Sequence, residues 1–222
     1  MSDIRVCCFG DSFTNGFGDD AFMGWPARLS AHIQDKLLAP DLRLTLYNLG
    51  IRRDTSQDIA QRWRGEAGSR LPQECEGRLV FCFGINDVTD DATGAPRLAA
   101  DEAVRHCQAI LATAAGWKPT LLITPPPVDI AGQPRVPGRL AALVAHQRSL
   151  CAELRIPVID LHRALLDHPD WYREMAQGDG VHPQGAGYAR LAGLIQAWPH
   201  WATWLATGGL AGGPAGGLAG PG

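Results

Sequence analysis

The sequence contains no uninterrupted apolar run of the roughly 18 residues that a membrane-spanning helix requires. Its opening residues, Met1 to Gly10, lack the ordered charged, apolar and cleavage regions of a secretory signal, so a cytoplasmic location is expected. Charge of neither sign is in excess. Lys and Arg number 20 against 23 Asp and Glu, a net charge of -3, so neither nucleic acid nor an anionic membrane is expected as a partner. There is no C-x-x-C pair, no H-E-x-x-H, no His/Cys cluster and no P-loop, so neither a metal nor another cofactor is expected. The six cysteines, Cys7, Cys8, Cys75, Cys82, Cys107 and Cys151, fall mostly inside apolar runs and read as buried free thiols. No repeat of 20–50 residues is present either, which excludes a solenoid.

What remains is the composition of one ordinary globular domain, 222 residues with 45% hydrophobic and 19% charged side chains. Short apolar runs at Ile4–Phe9, Leu42–Asn48, Leu79–Phe83, Thr120–Ile123 and Val158–Asp160 read as strands. Four of the five are apolar on both faces, as strands covered from both sides are. Amphipathic segments at Trp25–Leu38, Ser56–Gly68, Leu98–Ala115, Arg139–Leu154 and Gly187–Trp198 alternate with them as helices. This order predicts a three-layer α/β/α sandwich around a five-stranded parallel sheet. The folded domain is expected over residues 1–205. Residues 206–222, almost all Gly, Ala, Leu and Pro, are expected to form a flexible tail.

Ligands of such sheets bind beyond the carboxyl ends of the strands, so chemistry is expected in the segments that follow each strand. The first is Gly10-Asp11-Ser12-Phe13-Thr14-Asn15-Gly16-Phe17-Gly18, where Ser12 stands either in a simple turn or as a nucleophile. It is not a G-x-S-x-G elbow, because Thr14 replaces the second glycine. After the second strand, Gly50 can offer its N–H to a ligand. After the third, Asn86 in Gly84-Ile85-Asn86-Asp87 is either an uncharged oxyanion donor or a helix cap. Finally, Asp179 and His182 are three apart in a loop bounded by Gly180 and Pro183. Such a pair can set the carboxylate on Nδ1 and leave Nε2 free, the orienting half of a hydrolytic triad.

Together, Gly10-Asp11-Ser12, Gly50, Gly84-x-Asn86-Asp87 and Asp179-x-x-His182 resemble, in order, the four blocks of the SGNH or GDSL-like hydrolases. The resemblance covers roughly residues 4–200. It implies a flavodoxin-like α/β/α fold and an esterase, lipase, thioesterase or carbohydrate deacetylase acting on a small-molecule ester. It further implies Ser12 as nucleophile, Asp179 with His182 as the base pair, and Ser12, Gly50 and Asn86 as oxyanion donors. The sequence departs from the family pattern at Phe13, where Leu is usual, and at Arg53, where relatives often carry Gly.

Arg52 and Arg53 follow the oxyanion glycine and are candidates for the substrate entrance. Asp11 and Asp87 are expected as backbone caps rather than catalytic groups. Asp160 and His162 read as a helix start, and His32, His106 and His146 as helix-surface or packing residues. Trp198, Trp201 and Trp204 are expected to pack the last helix on the sheet. Gly16-x-Gly18-x-x-Ala21 formally matches a dinucleotide fingerprint, which leaves a nucleotide- or flavin-binding module as the rival reading.

Overall fold

The computed structural model describes residues 2–36 and 42–207. In chain order the elements are β1 (Ser2–Gly10), α1 (Ser12–Asn15), α2 (Gly24–Lys36), β2 (Leu42–Gly50), α3 (Ser56–Arg70), β3 (Glu76–Cys82) and α4 (Ile85–Val88). They continue as α5 (Ala100–Ala115), β4 (Thr120–Ile123), α6 (Val136–Leu154), β5 (Val158–Ile159), α7 (Leu161–Leu165), α8 (Pro169–Ala176), α9 (Gly185–Ala197) and α10 (Trp201–Thr207). The five strands form one sheet in the order β2-β1-β3-β4-β5, with every pair parallel.

Alternation along the strands divides the core into two layers. Ile4, Val6 and Cys8 of β1 point to one face, with Val80 and Cys82 of β3 and Leu121 and Ile123 of β4. There they meet Trp25 and Leu29 of α2 and Tyr188, Leu191 and Ile195 of α9. Cys7, Phe9, Leu79, Phe81 and Leu122 point the other way, onto Ile59 and Trp63 of α3 and Ile110 and Leu111 of α5. Each central strand is therefore apolar on both faces because each face is covered. β2 lies at the sheet edge, and its polar face, with Arg43 and Thr45, is exposed while Leu44 is buried. All six cysteines are free and buried.

The structure departs from expectation in its short helices. α1, α4 and α7 span only four or five residues, too few to show a helical period in the sequence. Trp198, Trp201 and Trp204 are buried as expected, but on two helices. Trp198 ends α9, whereas Trp201 and Trp204 belong to the separate α10, their rings stacked at 5.7 Å. Ala206 and Thr207, expected in the tail, form the end of α10, and residues 208–222 lie outside the described residues.

Strand register fixes where chemistry can sit. Gly10 of β1 is level with Gly50 of β2 and with Cys82 of β3. The chain leaves β1 toward β2 on one side and returns to β3 on the other, so a crevice opens at their carboxyl ends. α1 folds directly into it. A Cβ on Gly10 would lie 2.1 Å from Thr14 Oγ1 and 2.2 Å from the Cys82 carbonyl oxygen. Gly10→Ala should therefore destabilise the protein by about 1–3 kcal/mol through overpacking. Thermal unfolding checks this at roughly 2–4 °C per kcal/mol, and a melting point equal to wild type would refute it.

Candidate active site

Ser12 is the first residue of α1 and is buried, at 7% exposure. The turn is started by Asp11, whose Oδ1 accepts the Phe13 N–H at 2.9 Å, and stopped by Gly16 in the left-handed region. Asp11 is thus the cap that its neighbourhood suggested. Its other oxygen is buried without a partner. Burial pushes this carboxyl up to about 7, opposed by the Phe13 N–H and reinforced by nearby Asp87.

His182 reaches Ser12 across the sheet end. Its Nε2 lies 2.7 Å from Ser12 Oγ, and its Nδ1 lies 2.7 Å from Asp179 Oδ2. A carboxylate only accepts, so Nδ1 carries the hydrogen and Nε2 is left to accept from the serine hydroxyl. Asp179 is itself locked, with Oδ1 accepting the N–H groups of Val181 at 2.9 Å and His182 at 2.8 Å. Partial desolvation disfavours its charge, but the bonds from the His182 backbone and ring and from Val181 outweigh this. The carboxyl is held below its ordinary value.

Two rings flank the imidazole. Phe13 lies tilted at 5.0 Å and Phe17 edge-on at 4.9 Å. Phe17 is fixed in turn by the Tyr188 hydroxyl of α9, which donates to its carbonyl at 2.7 Å. Neither aromatic is marked as a site residue by the sequence, since Phe13 lies in a helix of only four residues and Phe17 in the turn that follows it.

The expected oxyanion donors Asn86 and Gly50 are each held by a hydrogen bond to a neighbouring group. Asn86 is on α4, and its Nδ2 donates to the Asp54 carbonyl at 3.0 Å, which orients the amide. Gly50 packs so tightly on α1 that a Cβ there would lie 2.2 Å from the Asn15 nitrogen. Its N–H donates at 3.1 Å to Oδ1 of Asn48, an exposed side chain without a motif of its own. Asp87, beside Asn86, accepts the Ser56 N–H at 2.7 Å. Burial raises Asp87 to about 6, against that bond.

Arg52 and Arg53 are both exposed but differ in role. The Arg52 guanidinium lies 3.5 Å from the Phe17 ring centre, one ring away from His182. Arg53 occupies the left-handed region at φ 70°, a conformation that favours glycine, and makes no comparable contact with the site. The fingerprint glycines are spent on packing. Gly16 has φ 91° and touches Gly24, where a Cβ would be 2.6 Å from its Cα, and Gly18 has φ 88° and faces Pro183 and His182. Asp160 caps α7, as expected, through the Arg163 N–H at 3.0 Å, and His162 is buried away from the site. His32, His106 and His146 lie half-buried on α2, α5 and α6. Among the described residues no helix is long and apolar enough to cross a membrane.

Comparisons with known proteins bear on the fold and the family. The lipase/acylhydrolase from Enterococcus faecalis is 27% identical, with 88% of this chain and 93% of that one covered and a TM-score of 0.71. The acetylxylan esterase Axe2 from Geobacillus stearothermophilus shares the fold at 20% identity, covering 86% and 91%, with a TM-score of 0.67. A lipolytic protein of the G-D-S-L family from Veillonella parvula does so at 18% identity, covering 88% and 98%, with a TM-score of 0.70. No curated protein matches in sequence. Residues 8–190 match the GDSL-like Lipase/Acylhydrolase family, and the chain belongs to that family of ester hydrolases.

Proposed function

We propose that the chain is a serine esterase that hydrolyses carboxylic esters through an acyl-enzyme on Ser12. The observation that carries this reading is the unbroken line from Asp179 through His182 to Ser12, closed by two bonds of 2.7 Å. His182 Nε2 takes the Ser12 proton as Oγ bonds to the ester carbonyl carbon, whose π electrons move to oxygen. The Ser12 and Gly50 N–H groups and the second N–H of Asn86 Nδ2 then receive the oxyanion. For Gly50 this means exchanging Asn48 Oδ1 for the ester oxygen. The imidazolium returns its proton to the alkoxide as the C–O bond breaks. A water deprotonated by His182 then releases the acid and restores Ser12.

Phe13 and Phe17 exclude water from the imidazole faces, so its bonds to Asp179 and Ser12 act in a drier medium than solvent. Thioesters and sugar acetates react by the same steps, and a panel of aryl esters, thioesters and acetylated sugars distinguishes the preferred leaving group. The fold shared with the acetylxylan esterase Axe2 is the reason to include sugar acetates in that panel.

Ser12→Ala should reduce ester hydrolysis by about 10⁴–10⁶-fold and abolish labelling by a fluorophosphonate. Its melting temperature should match wild type. Retention of more than roughly a tenth of the activity would place the nucleophile elsewhere.

The pH dependence tests the base. kcat/KM should fall with unit slope on acidification, as a single proton adds to the base. Asp179→Asn should leave a weakly active enzyme and His182→Ala an inactive one. A flat profile from acid to neutral pH would exclude a histidine base.

Arg52, held on Phe17, faces the entrance with its charge exposed. Esters bearing a carboxylate should be preferred over neutral esters of equal length by less than about tenfold, and the preference should shrink with added salt. Arg52→Ala should remove it, while Arg53→Gly should leave most of it. Equal kcat/KM ratios in wild type and Arg52→Ala would show that Arg52 does not read the substrate.

A further inference from the structure

Arg62 of α3 bridges the segment before Ser12 and the segment that holds Asn86. It is largely buried, with 15% of its side chain exposed, and its guanidinium edge is divided among three partners. Nε donates to Asp54 Oδ2 at 2.7 Å, Nη2 to the Gly10 carbonyl at 3.2 Å and Nη1 to Glu66 Oε1 at 3.2 Å. Gly10 stands two residues before Ser12, and its carbonyl also accepts the Ile51 N–H at 3.1 Å, next to Gly50. Asp54 is the residue whose own carbonyl receives Asn86 Nδ2 at 3.0 Å. A single planar fork therefore spans from the nucleophile's strand end to the residue that aims Asn86.

The ion pair is poorly explained as a stabilising device. Burial raises the Asp54 carboxyl above its ordinary value, with nearby Asp58 and Glu66 adding to the rise, even though both the hydrogen bond and the charge of Arg62 oppose it. Buried pairs of that kind serve geometry better than stability, and the rigid guanidinium fork is suited to it because its donors are fixed relative to one another.

We propose that Arg62 is a positioning residue that sets the distance and angle between Ser12 and Asn86, acting through the Gly10 carbonyl and Asp54. This rests on the reading of Ser12 as nucleophile and Asn86 as oxyanion donor. Arg62 touches no substrate. Its effect belongs to kcat, because misplacing Asn86 weakens a contact that strengthens only as the oxyanion forms. Lysine at this position keeps the charge and can still pair with Asp54, but one ammonium lacks the fork that reaches the Gly10 carbonyl as well.

The test is Arg62→Lys, assayed with an aryl ester and normalised to sites titrated with a fluorophosphonate, so that misfolded protein is not counted. kcat should fall by about 10- to 100-fold, the size expected for displacement of a catalytic group by an ångström or less. KM should change by less than about threefold. In an Asn86→Ala background the same substitution should cost less than about threefold, because the group it positions is already gone. Glu66→Gln, which removes the charge of the third partner while leaving an oxygen that can still accept from Nη1, should stay within about twofold of wild type. The proposal is overturned by an unchanged kcat in Arg62→Lys, by an equal loss with and without Asn86, or by an equal loss in Glu66→Gln. These outcomes are separate from failure of the esterase reading, which would appear as activity surviving in Ser12→Ala.

Discussion

The close approach of α1 to the carboxyl ends of β1 and β2 governs the placement of everything else in the site. Gly10 and Gly50 are level in the sheet, and neither tolerates a side chain, because Thr14 fills the space over Gly10 and the Asn15 backbone fills that over Gly50. Ser12 is thereby pressed into the fork of the sheet instead of projecting from a mobile loop. Asn15 and Asn48 then tie the two segments, with Asn15 Nδ2 donating to the Gly50 carbonyl and Asn48 Nδ2 to the Asn15 carbonyl. A backbone contact that only glycine permits thus sets the separation between the nucleophile turn and the loop carrying Arg52.

That compact arrangement leaves carboxyls in the protein interior. Asp11 and Asp87 are each 1% exposed, and each is retained because it satisfies a backbone N–H that would otherwise be buried without a partner. Desolvation raises them to about 7 and about 6. The folded state therefore binds their protons more tightly than the unfolded chain does. Their contribution to stability is present in full below about pH 3.9 and is lost as pH rises through 6 and then 7.

The sequence made the layers readable because burial on both faces forces β1, β3 and β4 to be apolar without alternation, while the half-covered edge strand β2 alternates. Ser12, Asp179 and His182 stood out only through the ordered set of blocks that resembles the family, because each alone reads equally well as a turn residue. Arg62 did not. Along α3 it looks like half of an i,i+4 pair with Glu66, which is what a solvated helix face carries, and only the tertiary fold turns its other donors toward Asp54 and Gly10. Asn48 and Phe17 were hidden for a similar reason, as their partners are distant in sequence or irregular in backbone. Arg53 shows the converse. Its departure from the family's glycine was visible in the sequence, and the left-handed φ of 70° supplies the physical reason that glycine suits the position.

The same local geometry weighs against a nucleotide at the first loop. A phosphate cradle needs glycines whose N–H groups face outward and a positive field to receive the charge. Here Gly16 is pressed against Gly24, Gly18 against the His182 loop, and the buried charge behind the turn comes from the carboxyls of Asp11 and Asp87. Of the cations at this loop, Arg28 is taken up by the loop's own Asp19 at 2.7 Å, and Arg52 lies on the face of Phe17 and is solvated. A multiply charged phosphate would meet repulsion from behind and little backbone donation in front. A neutral ester carbonyl meets neither difficulty, because it enters uncharged and develops charge only after His182 has taken a proton. The buried acids that make the turn a poor anion site are therefore compatible with an oxyanion that forms together with an imidazolium 2.7 Å from the attacking oxygen.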